Sequence, residues 1–140
     1  MKHARLTHLD DYRLSQLHQL YQGEWWSRGR SLADITRAIA GSDYIFAFTE
    51  PSSNDLAAFT RVLSDGVYKA IMFDVIVHPN YRGHGFGRVL MEAILAEPDL
   101  ANVRHIELYC LPEMADFYRQ FGFTTDLGQV SLMRRTNQLS

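Results

Sequence analysis

Val75-Ile76-Val77-His78-Pro79-Asn80-Tyr81-Arg82-Gly83-His84-Gly85-Phe86-Gly87-Arg88 is the stretch on which the reading of this chain turns. An apolar run ends at Val77, glycines alternate at 83, 85 and 87, and an amphipathic helix opens at once. Its apolar positions Phe86, Val89, Leu90, Ala93 and Ile94 fall at i, i+3, i+4, i+7 and i+8. Glycine takes positive φ and lets the backbone approach a ligand with no Cβ in the way. Backbone N–H groups at a helix start converge on one spot, where the helix dipole also favours negative charge. The loop therefore reads as a phosphate cradle flanked by Arg82 and Arg88. Two common phosphate loops are excluded. A Walker A loop needs Gly-Lys-Ser/Thr where this chain has Gly87-Arg88-Val89, and a dinucleotide fingerprint begun at Gly83 needs glycine at position 88.

Outward from the loop, the elements alternate in period. Residues 67–77 before it are a long apolar strand, and 103–110 after the helix are another. The two strands with the helix between them form a βαβ unit, which should be parallel and right-handed. Upstream, Asp65-Gly66 between two β-rich runs signals a two-residue hairpin to a strand at 56–63, and Pro51-Ser52-Ser53-Asn54 a turn from a strand at 44–48. Asp10 and Asp11 cap a first helix that Gly23 ends; Ser31 with Asp34 caps a second that Gly41 ends. A short strand is expected at 3–9. Pro112, Met114, Phe117, Tyr118 and Phe121 mark a last helix closed by Gly122, with a final strand at 131–135. The class is α/β: a mixed, mostly antiparallel sheet with one parallel βαβ unit and about four helices.

The chain has 140 residues, 46% hydrophobic and 21% charged, which is globular composition and one domain, residues 1–140. Fourteen basic and 16 acidic residues leave a net charge of -2, which argues against a nucleic-acid partner. The single cysteine, Cys110, excludes an internal disulfide framework and a cysteine-rich zinc site, and reads as a small buried hydrophobe. His78 and His84 have no spaced partners that read as a metal site, so no metal is expected. No signal peptide and no apolar window of about 20 residues is visible, which suggests a cytoplasmic protein with no membrane partner. The expected assembly is a monomer or homodimer.

The loop also resembles the acyl-CoA-binding motif of the GNAT acetyltransferase superfamily, R/Q-x-x-G-x-G/A after a strand, which Arg82, Gly85 and Gly87 match. Phe117-Tyr118-Arg119-Gln120-Phe121-Gly122-Phe123 resembles the F-Y-x-x-x-G-F segment of the same family. The element order looks like the GNAT fold over nearly the whole chain, most strongly over 67–123. The resemblance implies transfer of an acetyl group from acetyl-CoA to a primary amine by direct attack in a ternary complex. A small-molecule acceptor is the first reading; a protein lysine or N-terminal amine, or a non-catalytic acyl-CoA sensor, are the alternatives.

Residue by residue, it implies that the amides of 82–88 hold the pyrophosphate of CoA. It implies that Val75, Ile76 and Val77 take the pantetheine arm through their main chain, with one amide polarising the thioester carbonyl. Tyr118 takes the position of the tyrosine that protonates the leaving thiolate. The usual Glu or His base positions fall on Ile71 and Phe73, and the family's asparagine before the F-Y pair is missing. Asp74, next in line, should face away from them by strand alternation. It is read as a base through a bulge, an amine anchor or the structural partner of an arginine. Trp25 and Trp26 lie in the loop that walls the acceptor site in this family, and Glu24 beside them is read as a partner for a cationic amine or as a solvated charge.

Overall fold

A computed structural model describes residues 3–138. The chain separates into two compact units, one running to Tyr109 and the other from Cys110 onward.

The first unit is a five-stranded sheet in the order β1-β2-β3-β4-β5. β1 (Ala4–Leu6), β2 (Tyr44–Thr49), β3 (Leu56–Ser64) and β4 (Lys69–Val77) are antiparallel neighbours, and β5 (His105–Leu108) runs parallel to β4. α1 (Asp11–Gln22) and α2 (Leu32–Ala40) cover one face. Their core joins Leu17, Leu20, Tyr21 and Ile35 to Phe59 and Ile76 of the sheet. α3 (Phe86–Ala96) contacts β2, β3 and β4 through a buried stripe of Phe86, Leu90, Met91 and Ile94. The caps fall where the sequence puts them. The Asp10 carboxylate accepts from the amide of Arg13, the Ser31 hydroxyl from that of Asp34, and Gly23 and Gly41 close the two helices.

Several expectations change. The two-residue hairpin is a wider loop, because the Asp65 carboxylate accepts from the amides of Val67, Tyr68 and Lys69 at 2.7–3.1 Å. These amides, that of Val67 foremost, hold it below the usual carboxylate range, and β4 starts at Lys69 rather than at 67. β4 also breaks its alternation. Opposite β3 the register passes from Phe59↔Ile76 to Arg61↔Phe73, so β4 carries one extra residue, and Asp74 sits there with φ 61°. Lastly, residues 131–135 join no ladder among the described residues: Leu132 and Met133 are 64% and 92% exposed. Alternation supplies a strand's pattern, but only a neighbour satisfies its N–H and C=O groups.

The second unit holds a 3-10 turn at Pro112–Met114 and α4 (Ala115–Arg119), with Gly122 beyond it at φ 89°. Cys110, expected in a core, is exposed.

Candidate active site

β4 pairs with β5 only from Lys69 to Met72, then runs on to Val77 paired on the β3 side alone. The carbonyls and amides of 73–77 on the other edge form no strand ladder among the described residues. Val75, Ile76 and Val77 lie here, where an extended ligand could add as a strand. Phe73 stacks on Tyr109 just past the end of β5, with centroids 6.3 Å apart.

The glycine loop follows directly. A 3-10 turn at Pro79–Tyr81 is pinned by the Tyr81 hydroxyl, which donates to Asp55 Oδ2 at 2.7 Å, and by the amide of Asn80, which donates to His78 Nδ1 at 3.0 Å. Gly83 and Gly85 then adopt φ 80° and 84°, a region that side chains rarely enter. Gly85 is the N-cap of α3, and no side chain caps that helix. A Cβ at Gly83 or Gly85 would project into open space. The glycines are therefore required by backbone conformation, and the ground in front of the helix start is clear. Helix starts leave N–H groups without intrahelical partners, so this one is fit to receive an anion. Phe86 is buried and anchors the helix, while His84 and Gly87 lie on the loop and first turn. Arg88, one turn in, faces Glu92 at 3.9 Å.

Arg82 and Glu24, read separately as a phosphate partner and an amine partner, meet each other at 2.8 Å. Arg82 Nε also donates to the Val77 carbonyl at 3.3 Å. The ion pair ties the α1–α2 loop to the glycine loop. A cleft of about 310 Å³ opens beside it, lined by Gln16, Gln19, Glu24, Asp55, Ile76 and His78 among others.

The α1–α2 loop is held by its own hydrogen bonds. Ser27 Oγ donates to the Tyr21 carbonyl at 2.7 Å, and the Gln22 side chain accepts from the Gly29 amide and donates to the Arg30 carbonyl. Trp25 is 70% exposed, whereas Trp26 is 36% exposed and sets its ring edge-on to Tyr21.

Asp74 carries the densest cluster. Its Oδ2 accepts from Tyr21 Oη at 2.8 Å, Arg30 Nη1 at 3.0 Å and Arg61 Nε at 2.7 Å, and the side chain is 6% exposed. Expected to face away from Phe73, it shares that residue's face, because the bulge cancels the alternation. Arg61 lies over the Phe73 ring, and Arg30 over the rings of Tyr21 and Trp26. Burial and the adjacent carboxylate push the Tyr21 phenol far above its usual value, so it stays a donor. Sequence reading missed Tyr21, Arg30 and Arg61 as members of this site. The available signal was a lone arginine in the apolar run of β3 opposite a lone aspartate in that of β4.

Tyr118 lies in α4 of the second unit, 6% exposed, with Phe117 and Phe123 edge-on to it. Burial, with Cys110 adding, pushes its phenol up to about 12. Among the described residues no group of His, Cys, Asp and Glu could hold a metal ion, and no helix is long and apolar enough to cross a membrane.

An uncapped helix behind a glycine loop, fed by a strand with one open edge, has the form that suits a phosphate-bearing ligand with an extended arm. The chain matches the acetyltransferase (GNAT) domain family over residues 41–125 and belongs to it. It is similar to the crystal structure of a protein described as an acetyltransferase belonging to the GNAT family from Xanthomonas campestris pv. campestris, with 32% identity and a TM-score of 0.81. That likeness covers 98% of this chain and 94% of the other. It is 30% identical to the uncharacterized N-acetyltransferase ycf52 of Porphyra purpurea, over 90% of this chain and 73% of that protein. It is 36% identical to the chloroplastic serotonin N-acetyltransferase 2 of Oryza sativa subsp. japonica, over 66% of this chain and 47% of that protein. The chain thus spans about three quarters and about half of these two relatives.

Proposed function

We propose that this chain is an acetyl-CoA-dependent N-acetyltransferase acting on the primary amine of a small molecule. The observation that carries the reading is the open edge of β4 at 73–77 leading straight into the uncapped start of α3. The family membership supports the reaction class. The relative named for serotonin supports a small amine carrying an aromatic group, and the exposed Trp25 suits one.

In this reading the amides of 82–88 hold the pyrophosphate, and the main chain of Val75, Ile76 and Val77 holds the pantetheine arm. One of those amides donates to the thioester carbonyl, where charge gathers in the transition state. The amine nitrogen attacks that carbon, so an N–C bond forms as the C–S bond breaks. The nitrogen gives up a proton to water, and the departing thiolate takes one, a role that the family resemblance gives to Tyr118. A phenol near 12 yields its proton to a full thiolate of pKa about 8.5 at a cost of roughly 5 kcal/mol. Tyr118 thus acts late, as the bond breaks. Asp74, with three donors on one oxygen, serves as an anchor for Arg30 and Arg61 rather than as the base. Holding the amine against the thioester supplies most of the rate.

The test is release of free thiol from acetyl-CoA with a panel of small amines, with the N-acetyl product confirmed by mass. Thiol release tied to product is the expected result. Tight acetyl-CoA binding with no release for any small or peptide amine would turn the reading to a sensor, which the engagement of Asp74 favours. Release with lysine peptides alone would move the acceptor to protein. The cytoplasmic expectation stands beside a relative named as chloroplastic, and fractionation decides it.

A further inference from the structure

Two guanidiniums converge on one buried carboxylate. Arg30 and Arg61 both bind Asp74 Oδ2, and the third partner, Tyr21, is a phenol that keeps its proton. The cluster therefore holds one positive charge in excess, at a place where charge is expensive to bury without an opposite partner. The excess is not spread evenly. Arg61 is 15% exposed and closed in over Phe73, whereas Arg30 is 37% exposed. Among the described residues the only side-chain hydrogen bond of Arg30 is the one from Nη1 to Asp74. Its planar fork offers further donors, which suit a carboxylate in bidentate fashion.

The setting of Arg30 adds direction. Its guanidinium lies over the Tyr21 ring, 5.0 Å from the centre, and over that of Trp26 at 5.5 Å, so it sits between two rings set nearly at right angles. The loop bonds of Gln22 and Ser27 fix the backbone that carries it. Trp26, partly exposed, and Trp25, largely exposed, extend the apolar surface outward from the same loop. Asp74, which Arg30 grips, is the residue before Val75 on the open edge of β4. A carboxylate on Arg30 would thus lie close to the main chain that the proposed function assigns to the thioester.

We propose that Arg30 is the carboxylate anchor of the acceptor site, and that the acceptor is an aromatic or apolar α-amino acid rather than a simple arylalkylamine. The inference rests on the acetyltransferase reading above and names the substrate class of that same site. The carboxylate meets the outer donors of Arg30, the side chain lies on Trp25 and Trp26, and the α-amine points to the thioester. Asp74 and Arg61 hold Arg30 in place and do not touch the acceptor.

Matched pairs test it: phenylalanine against phenethylamine and tryptophan against tryptamine, each at fixed acetyl-CoA, with thiol release and product mass as readouts. The expected result is a kcat/KM at least about tenfold higher for the amino acid in each pair, the scale of one charge-assisted pair. Arg30→Gln should raise KM for the amino acid by a larger factor than for the matched amine, and Arg30→Lys should restore part of that difference. Equal use of both members, or preference for the uncharged amine, overturns the anchor while leaving the acetyltransferase reading intact. No thiol release from any amine overturns both. The wild-type ratio decides the matter even if the Arg30 variants fold poorly.

Discussion

Replacing Asp74 by asparagine removes one charge and little else. Asparagine has the same shape and tolerates the left-handed region about as well as aspartate, so the φ of 61° adds little strain. What is lost is the partner of Arg61 and Arg30 at 2.7 and 3.0 Å. Taking one member from a buried pair costs about 3–5 kcal/mol, because the other charge stays uncompensated. Arg30 is 37% exposed and recovers some hydration, so the lower half of that range, about 3–4 kcal/mol, is expected. At an unfolding entropy of roughly 2.1 cal/mol/K per residue, 140 residues give about 0.3 kcal/mol/K, and the melting temperature should fall by about 10–14 °C. Differential scanning calorimetry reads this directly. Pairing Asp74→Asn with Arg61→Met should be less costly than the sum of the two, because the more buried of the two orphaned charges is then gone. A fall below about 3 °C, the scale of a surface pair, would refute the account of the cluster.

Two further outcomes follow from the same geometry. The Tyr118 phenol is raised from 10.0 to about 12 in the fold, so its contribution to stability is complete below pH 10 and drains away as pH rises towards 12. The stability gap between wild type and Tyr118→Phe, read by urea unfolding, should shift by about 1.4 kcal/mol against the wild type between pH 9 and pH 11, and a constant gap contradicts the shift. Glu24→Gln releases Arg82 from its 2.8 Å partner and should tighten CoA binding by about two- to fivefold at low salt, the scale of an exposed pair; weaker binding would mean that Glu24 orients Arg82 rather than restraining it.

The sequence carried the fold because its punctuation is local. Asp10, Gly23, Ser31 and Gly41 each cap or close a helix through groups within three or four residues, and the glycine loop fixes its own φ values. Strand order and the parallel β4–β5 pair followed from element order and crossover handedness. What stayed hidden depended on distant partners. The extra residue in β4 is a matter of register with β3, and the run Ile71-Met72-Phe73-Asp74-Val75 offers a bulge at Asp74 only as one of several readings. Tyr21 reads as one more residue on an apolar helix face until Asp74, 53 positions away, is seen to accept a hydrogen bond from its hydroxyl. Residues 131–135 have the composition of a strand, yet they are exposed and unladdered, since composition does not supply a neighbour.

The central claim is that the loop at 82–88 holds the phosphates of acetyl-CoA at the start of α3. Calorimetric titration of acetyl-CoA into wild type and Gly85→Glu tests it most directly. Gly85 opens on clear space, so a glutamate there sends a carboxylate towards the proposed phosphate position. Like charges brought together at a binding site cost several kcal/mol, so binding should weaken by at least about 100-fold. Gly85→Ala, which carries the same backbone strain at φ 84° and no charge, separates that effect from instability. Wild-type affinity in a folded Gly85→Glu protein would contradict the claim.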